Sequence, residues 1–248
     1  MAAAMGERLQ DALPSGVGAR RIRSFVRREG RMTSAQQRAL SVHWERLGLD
    51  PEPGRVLDFA SVFGRQAPLT LEVGFGNGES LAEQAATQPE RDFLGIEVHR
   101  PGVGHLLQVA TQQGIENLRV ITADAVTILK ENIPAAGLDR VQIFFPDPWP
   151  KKRHHKRRLI QPAFLHLLAR AVRLGGSLHL ATDWEEYAEH MQAVAASLFP
   201  VWTPDGPQPL EVRPDYRPAT RFERRGNRLG HETRDLLYLR GGNPSPDA

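Results

Sequence analysis

Residues 71–88 read LEVGFGNGESLAEQAATQ. A β-prone run, TLEVG (70–74), meets three glycines, Gly74, Gly76 and Gly78, and a helical run, GESLAEQAATQ (78–88), opens directly after them. Glycines at such a junction permit a tight turn and let backbone amides approach a ligand without Cβ interference. Outward from this turn the same grammar repeats. DFLGIEV (92–98), NLRVITAD (117–124), DRVQIFFPD (139–147) and SLHLATD (177–183) read as strands. HLLQVATQQG (105–114), DAVTILKENI (124–133), AFLHLLARAVRL (163–174, closed by Gly175 and Gly176) and WEEYAEHMQAVAASL (184–198) read as helices. Alternating strands and helices joined by short loops predict an α/β fold, a doubly wound parallel sheet between helical layers. Proline-rich turns at 200–218 and shorter strands near 219–224 and 234–240 predict an antiparallel pair at one edge.

The acids at the strand ends narrow the ligand. A dinucleotide turn expects GxGxxG with a pyrophosphate at the helix N-terminus, where Glu79 would add like charge. A sulfonium nucleoside carries positive charge and no phosphate, so nearby acids suit it. Glu97 closes the second strand, where a carboxylate can accept both ribose hydroxyls. Asp124 follows the third strand and is placed to receive an adenine amine, or to cap the helix it precedes. Glu72 lies inside the first strand, where a charge requires a partner. A cationic methionyl group is a candidate. Together these acids mark a crevice at the C-terminal strand edges.

FFPDPWPKKRHHKRR (144–158) is the most informative stretch. An apolar strand delivers Asp147 to the ligand edge between Pro146 and Pro148, which stiffen the turn. A cationic run follows: Lys151, Lys152, Arg153, His154, His155, Lys156, Arg157 and Arg158. A carboxylate beside a phosphate-binding strip repels a nucleic-acid backbone, but it can accept hydrogen bonds from a guanine edge. Trp149 could stack on a base or anchor the loop. Asp183 repeats the arrangement one strand later, with capping of the helix containing Tyr187 as the alternative.

Bulk properties fit this reading. The chain has 248 residues, of which 40% are hydrophobic, enough for a substantial core. Cysteine is absent, which excludes disulfides, thiolate nucleophiles and cysteine metal sites. The nine histidines form no metal-binding pattern, so no metal is expected. No apolar run is long enough to cross a bilayer, and no apolar signal core is visible. A cytoplasmic setting is expected. The net charge is only +3, but cations gather at 20–38 (Arg20, Arg21, Arg23, Arg27, Arg28, Arg31 and Arg38), at 151–158 and at 221–228, as polyanion binding requires. Residues 1–60 read as a flexible basic arm and short helix, with 1–19 as a loose tail. Residues 61–240 read as the main domain and 241–248 as a disordered tail. The oligomeric state stays open, with a monomer favoured.

From about Arg23 to Leu239 the chain resembles the bacterial tRNA (guanine-N7-)-methyltransferase family, most specifically in FPDPWPKKRHHKRRL and TRFERRGNRLGH. The resemblance implies a Rossmann-like S-adenosylmethionine-dependent methyltransferase fold, a mostly parallel seven-stranded sheet with one antiparallel strand. It implies methyl transfer from S-adenosyl-L-methionine to N7 of a guanine in the variable loop of tRNA. Glu72, Glu97, Asp124 and Asp147 match cofactor-contact positions, alongside Gly74, Gly76 and Gly78. Asp147 also matches the catalytic position. Lys151 and Asp183 match substrate contacts, and Thr220, Arg221, Phe222 and Glu223 match a loop that closes the site. The family usually has lysine where this chain has Arg221. The run from Lys152 to Arg158 resembles the family's RNA-binding segment.

Overall fold

The computed structural model describes residues 31–228 and 230–242. The expectations placed on the tail 1–19, on Arg20, Arg21, Arg23, Arg27 and Arg28, and on 243–248 lie outside the described residues, as do the side chains of Arg221 and Phe222.

In chain order the elements are α1 (Ser34–Leu47), β1 (Gly48–Leu49), α2 (Phe59–Phe63), β2 (Leu69–Val73), α3 (Glu79–Thr87), β3 (Asp92–Ile96), α4 (Arg100–Gln112), β4 (Leu118–Ile121), α5 (Ala125–Glu131) and β5 (Leu138–Phe144). A 3-10 helix (Lys152–Arg157) leads to α6 (Pro162–Ala171), β6 (Val172–Thr182), α7 (Glu185–Ala196), β7 (Trp202–Pro204), α8 (Arg221–Arg228) and β8 (Arg234–Arg240). The strands form one sheet in the order β1-β4-β3-β2-β5-β6-β8-β7. All neighbours pair in parallel except that β8 runs antiparallel to both β6 and β7. Seven strands with one reversed match the expected architecture, and the two-residue β1 adds a short edge beside β4.

The continuous apolar runs have a physical cause. Every residue of β2 and β3 is buried, because helices cover both faces of the sheet. On one face Leu71, Leu94 and Ile143 pack with Leu129 of α5, Leu165 and Leu168 of α6, and Met191 of α7. On the other, Phe93 and Val120 pack with Leu47 of α1, Leu81 of α3, and Leu106 and Leu107 of α4. Thr33 and Gln36 close a reciprocal capping box that starts α1.

Two local expectations are corrected. The amphipathic helix expected over 163–174 ends at Ala171, and β6 begins at Val172. Pairing jumps from Leu138↔Val172 to Arg140↔Ser177, so residues 173–176 bulge out, with Gly175 at φ 72°. Those glycines serve a strand rather than a helix terminus. The strand expected near 219–224 is instead the start of α8. Thr220 and Glu223 bond reciprocally across its first turn, which overrides a weak alternating pattern. The edge strand beside β8 is β7, fixed by the fully buried Trp202, whose indole donates to the Leu165 carbonyl at 3.1 Å.

Candidate active site

The glycine turn between β2 and α3 has left-handed backbone at all three glycines, with φ of 76°, 60° and 77° at Gly74, Gly76 and Gly78. Glu97, at the end of β3, holds this turn in place. One carboxylate oxygen accepts from the Gly76 amide at 2.9 Å, and the other accepts from the amides of Val98 and His99 at 2.6 and 2.9 Å. The start of α4 backs directly onto the turn. A Cβ at Gly102 would lie 1.9 Å from the Gly76 carbonyl oxygen, so a side chain there would push the helix off.

A cleft of about 280 Å³ opens beside the turn. Glu72, Gly74, Gly76, Glu97, Asp124 and Asp147 all line it, so most of the expected cofactor residues converge. Gly78 sits at the head of α3, where it serves the turn's geometry. Thr220, contributed from the head of α8, also lines the cleft. The apolar walls come from Ile96, Ala123, Ile143 and Phe144, which suit a flat purine. These walls and Asn77 were not singled out in the sequence, though each stands within four residues of a quoted acid or glycine.

Glu72 is 3% exposed and accepts from the Gln142 amide at 2.9 Å. Burial pushes its carboxyl up to about 7; the Gln142 bond opposes the rise and the nearby Glu97 charge adds to it. A buried acid poised this way favours a cationic ligand that restores its ionised form. Asp124 does cap α5, accepting from the Val126 amide at 2.9 Å, and lines the cleft as well. Capping α5 thus leaves Asp124 on the cleft wall.

Asp147 is solvent-exposed at the rim. The backbone on either side is left-handed at non-glycine residues, φ 51° at Phe145 and 45° at Trp149. Such strain persists only where surrounding contacts impose it. Arg158 supplies one: 3% exposed, it donates to the Pro148 carbonyl at 2.8 Å and lies 3.3 Å from Glu186. The last residue of the basic run thus faces inward and braces the Asp147 turn. Lys151, Lys152, Arg153 and Lys156 are exposed, while His154, His155 and Arg157 are half-buried. Burial and then the neighbouring cations, Arg157 first, hold the His154 imidazole below its usual range. Trp149 is half-buried within its own segment, edge-on to His154 and beneath the Arg157 guanidinium at 5.0 Å.

Asp183 follows β6 and does not cap α7, whose N-cap is Trp184. It faces His231 at 3.6 Å and the backbone of α8 at Gly226. Glu223 is buried, receiving hydrogen bonds from Arg217 at 2.7 and 3.2 Å and from Arg213 at 3.2 Å. Arg217 also donates to Asp235 at 2.7 Å, Asp235 meets His179 at 2.8 Å, and the other His179 nitrogen meets the Tyr216 hydroxyl at 2.9 Å. Burial lowers the His179 pKa, against the opposing pull of Asp235. None of these four residues was singled out in the sequence. The available signal was an inward polar residue within an apolar strand, His179 in SLHLAT and Asp235 in RDLLYL, since such a group requires a partner.

Among the described residues, no group of three or more His, Asp or Glu side chains is placed to hold a metal ion, and no helix is long and apolar enough to cross a membrane.

Comparison with known proteins matches residues 66–236 to a family described as "Putative methyltransferase". The tRNA (guanine-N(7)-)-methyltransferase of Alkalilimnicola ehrlichii is 55% identical over 239 residues, 96% of this chain and 99% of that one. That of Halorhodospira halophila is 56% identical over 220 residues, 88% of this chain and 95% of that one. Among solved structures, the 16S rRNA methyltransferase KamB superposes with a TM-score of 0.54 at 17% identity, over 76% of this chain and 95% of that one, a likeness of fold.

Proposed function

This chain belongs to the bacterial tRNA (guanine-N7-)-methyltransferase family, and on that premise we propose how its own residues divide the work. The enzyme transfers a methyl group to N7 of a guanine in tRNA, with S-adenosyl-L-methionine as the donor. We place the acceptor in the variable loop.

The cleft residues fit that donor. Glu97 and Asp124 would take the ribose hydroxyls and the adenine amine, and the apolar walls would sandwich the purine. Glu72, buried and paired with no cation among the described residues, would meet the positively charged methionyl end. When bound, the sulfonium supplies an activated methyl group.

Guanine N7 carries an in-plane lone pair and is unprotonated near neutral pH, so no strong base is required. The protein's task is alignment, a large advantage when two reactants are held together. Methylation leaves positive charge on the purine. Asp147 at the rim would accept from N1–H or N2–H of the guanine and stabilise that charge. Thr220 and Asp183 would border the base, and Lys151, Lys152, Arg153 and Lys156 would meet phosphates. His154, His155 and Arg157 extend that strip. Glu223 holds α8 against the crevice through Arg217, and acts on the guanine through Thr220. Arg158 acts through the Pro148 carbonyl on Asp147.

One observation carries this reading: Asp147, at the head of the cationic strip, lines the same cleft as the glycine turn and its acids. We read residues 61–240 as the methyltransferase domain, with 1–60 an arm and short helix and 241–248 a tail, in a monomeric, cytoplasmic enzyme. Nucleoside mapping of an unmodified tRNA transcript after incubation with labelled S-adenosyl-L-methionine tests the assignment. A single N7-methylguanine in the variable loop is expected; label at another atom or in another loop would overturn the placement.

A further inference from the structure

A second cavity, of about 660 Å³, adjoins the cofactor cleft on the far side of the glycine turn. The two share Gly76, Asn77 and Glu79, but their chemistry differs. The second cavity gathers four side chains able to carry positive charge: His99 and His105 from the head and first turns of α4, and Arg225 and Arg228 from α8. His105 is anchored through Nδ1, 2.8 Å from the Asn77 carbonyl oxygen. Arg228 is oriented by donating from Nε to the Arg224 carbonyl at 3.2 Å. Arg225 and Arg228 are exposed, and among the described residues neither pairs with an acid. Glu79, the acid on the shared rim, lies 3.5 Å from Arg224. The positive end of the thirteen-residue α4 also opens here, and its N-cap, His99, makes no side-chain capping bond.

We propose that this cavity is a phosphate subsite for the tRNA backbone, distinct from the strip that starts at Lys151. Sheet order gives the reason. β3 and β5 flank β2 on opposite sides, so His99, just after β3, and Lys151, beyond β5, lie on opposite flanks of the crevice mouth. A guanine turned out of its stack to enter the crevice keeps a phosphate on each side. The Lys151 strip receives one side, and the Arg225/Arg228 cavity receives the other. Held at both ends, the nucleotide presents N7 inward with little freedom left to lose in the reaction. The subsite rests on the tRNA-methyltransferase reading and deepens it.

The test is tRNA affinity over a salt series, using the full chain and an unmodified tRNA transcript. Each phosphate contact contributes about 0.9 to the slope of log affinity against log salt. The R225Q/R228Q variant should bind the transcript roughly tenfold more weakly, with a slope shallower by about 2, while its affinity for S-adenosyl-L-methionine stays within about twofold of wild type. R225K/R228K should recover the wild-type slope, which a merely structural helix would not require. Should the double glutamine variant also lose cofactor binding, R228Q alone serves, with a slope change of about 1 expected. An unchanged slope in whichever variant keeps cofactor binding overturns the subsite. Methylation of the same transcript by the wild-type protein tests the parent reading separately, so the two can fail independently.

Discussion

Arg217 donates from both terminal guanidinium nitrogens to Glu223, at 2.7 and 3.2 Å, and neither side chain is more than one-tenth exposed. Arg217 lies just before α8 and Glu223 in its first turn. Asp235 of β8 holds the same guanidinium from below. Buried ion pairs stabilise little relative to apolar packing, but breaking one is severe. The pair therefore fixes the place of α8, and with it Thr220, above the cofactor cleft.

Arg217→Met removes the cation that the buried carboxylates of Glu223 and Asp235 share. A loss of about 3–5 kcal/mol is expected, seen as a markedly lower melting temperature in thermal denaturation. Glu223→Gln is gentler. Its kcat/KM for tRNA should fall at least tenfold while the affinity for S-adenosyl-L-methionine changes by less than about threefold. Equal losses in both would show that the pair supports the whole fold rather than the seat of α8.

Asp147→Asn keeps the shape of the rim and removes the charge. Single-turnover methylation at saturating concentrations of both substrates should slow by roughly a hundredfold, the scale of one preorganised electrostatic contact. A near-native rate would remove Asp147 from the chemistry.

Glu72 makes stability depend on pH. Its folded pKa of about 7 lies above the ordinary 4.5, so the folded protein binds the extra proton between these values. Stability from this group is therefore fully present below about pH 4.5 and declines as pH rises through about 7. Glu72→Gln should lessen the ligand-free protein's loss of stability between pH 5 and 8, by up to roughly 3 kcal/mol, in denaturant melts. The same change should weaken S-adenosyl-L-methionine binding. In the wild type, cofactor binding near pH 7 should release protons, measurable by calorimetry in buffers of different ionisation enthalpy.

The basic run should separate into two behaviours. Neutralising Lys151, Lys152 and Arg153 together should weaken tRNA binding and flatten its salt dependence by nearly three contacts' worth, about 2.7 in slope. Arg158→Gln should leave that slope unchanged and lower the methylation rate, because Arg158 braces the Pro148 carbonyl beside Asp147. A salt slope that moves with Arg158 would return it to the phosphate path.

Much of this protein was legible in its sequence. Alternating apolar runs and helical stretches determined the parallel sheet, because a strand buried on both faces must be apolar throughout. LEVGFGNGES located the turn, because only glycine adopts left-handed backbone at three alternate positions without penalty. The acids Glu72, Glu97, Asp124 and Asp147 could be placed at one edge because Glu72 lies next to the last residue of its strand and the other three follow the ends of parallel strands. The division of labour among them was not legible. The tertiary structure decided that Glu97 clamps the glycine turn, that Arg158 faces inward while its neighbours face solvent, and that Glu223 meets Arg217 and, through it, Asp235. It also decided that 219–224 starts a helix and that Arg225 and Arg228 share a cavity with His99 and His105. Such contacts join residues far apart in the chain, and a local pattern encodes only the period of its own element. Whether a charge points to water, ligand or another buried charge depends on which elements the packed sheet brings beside it.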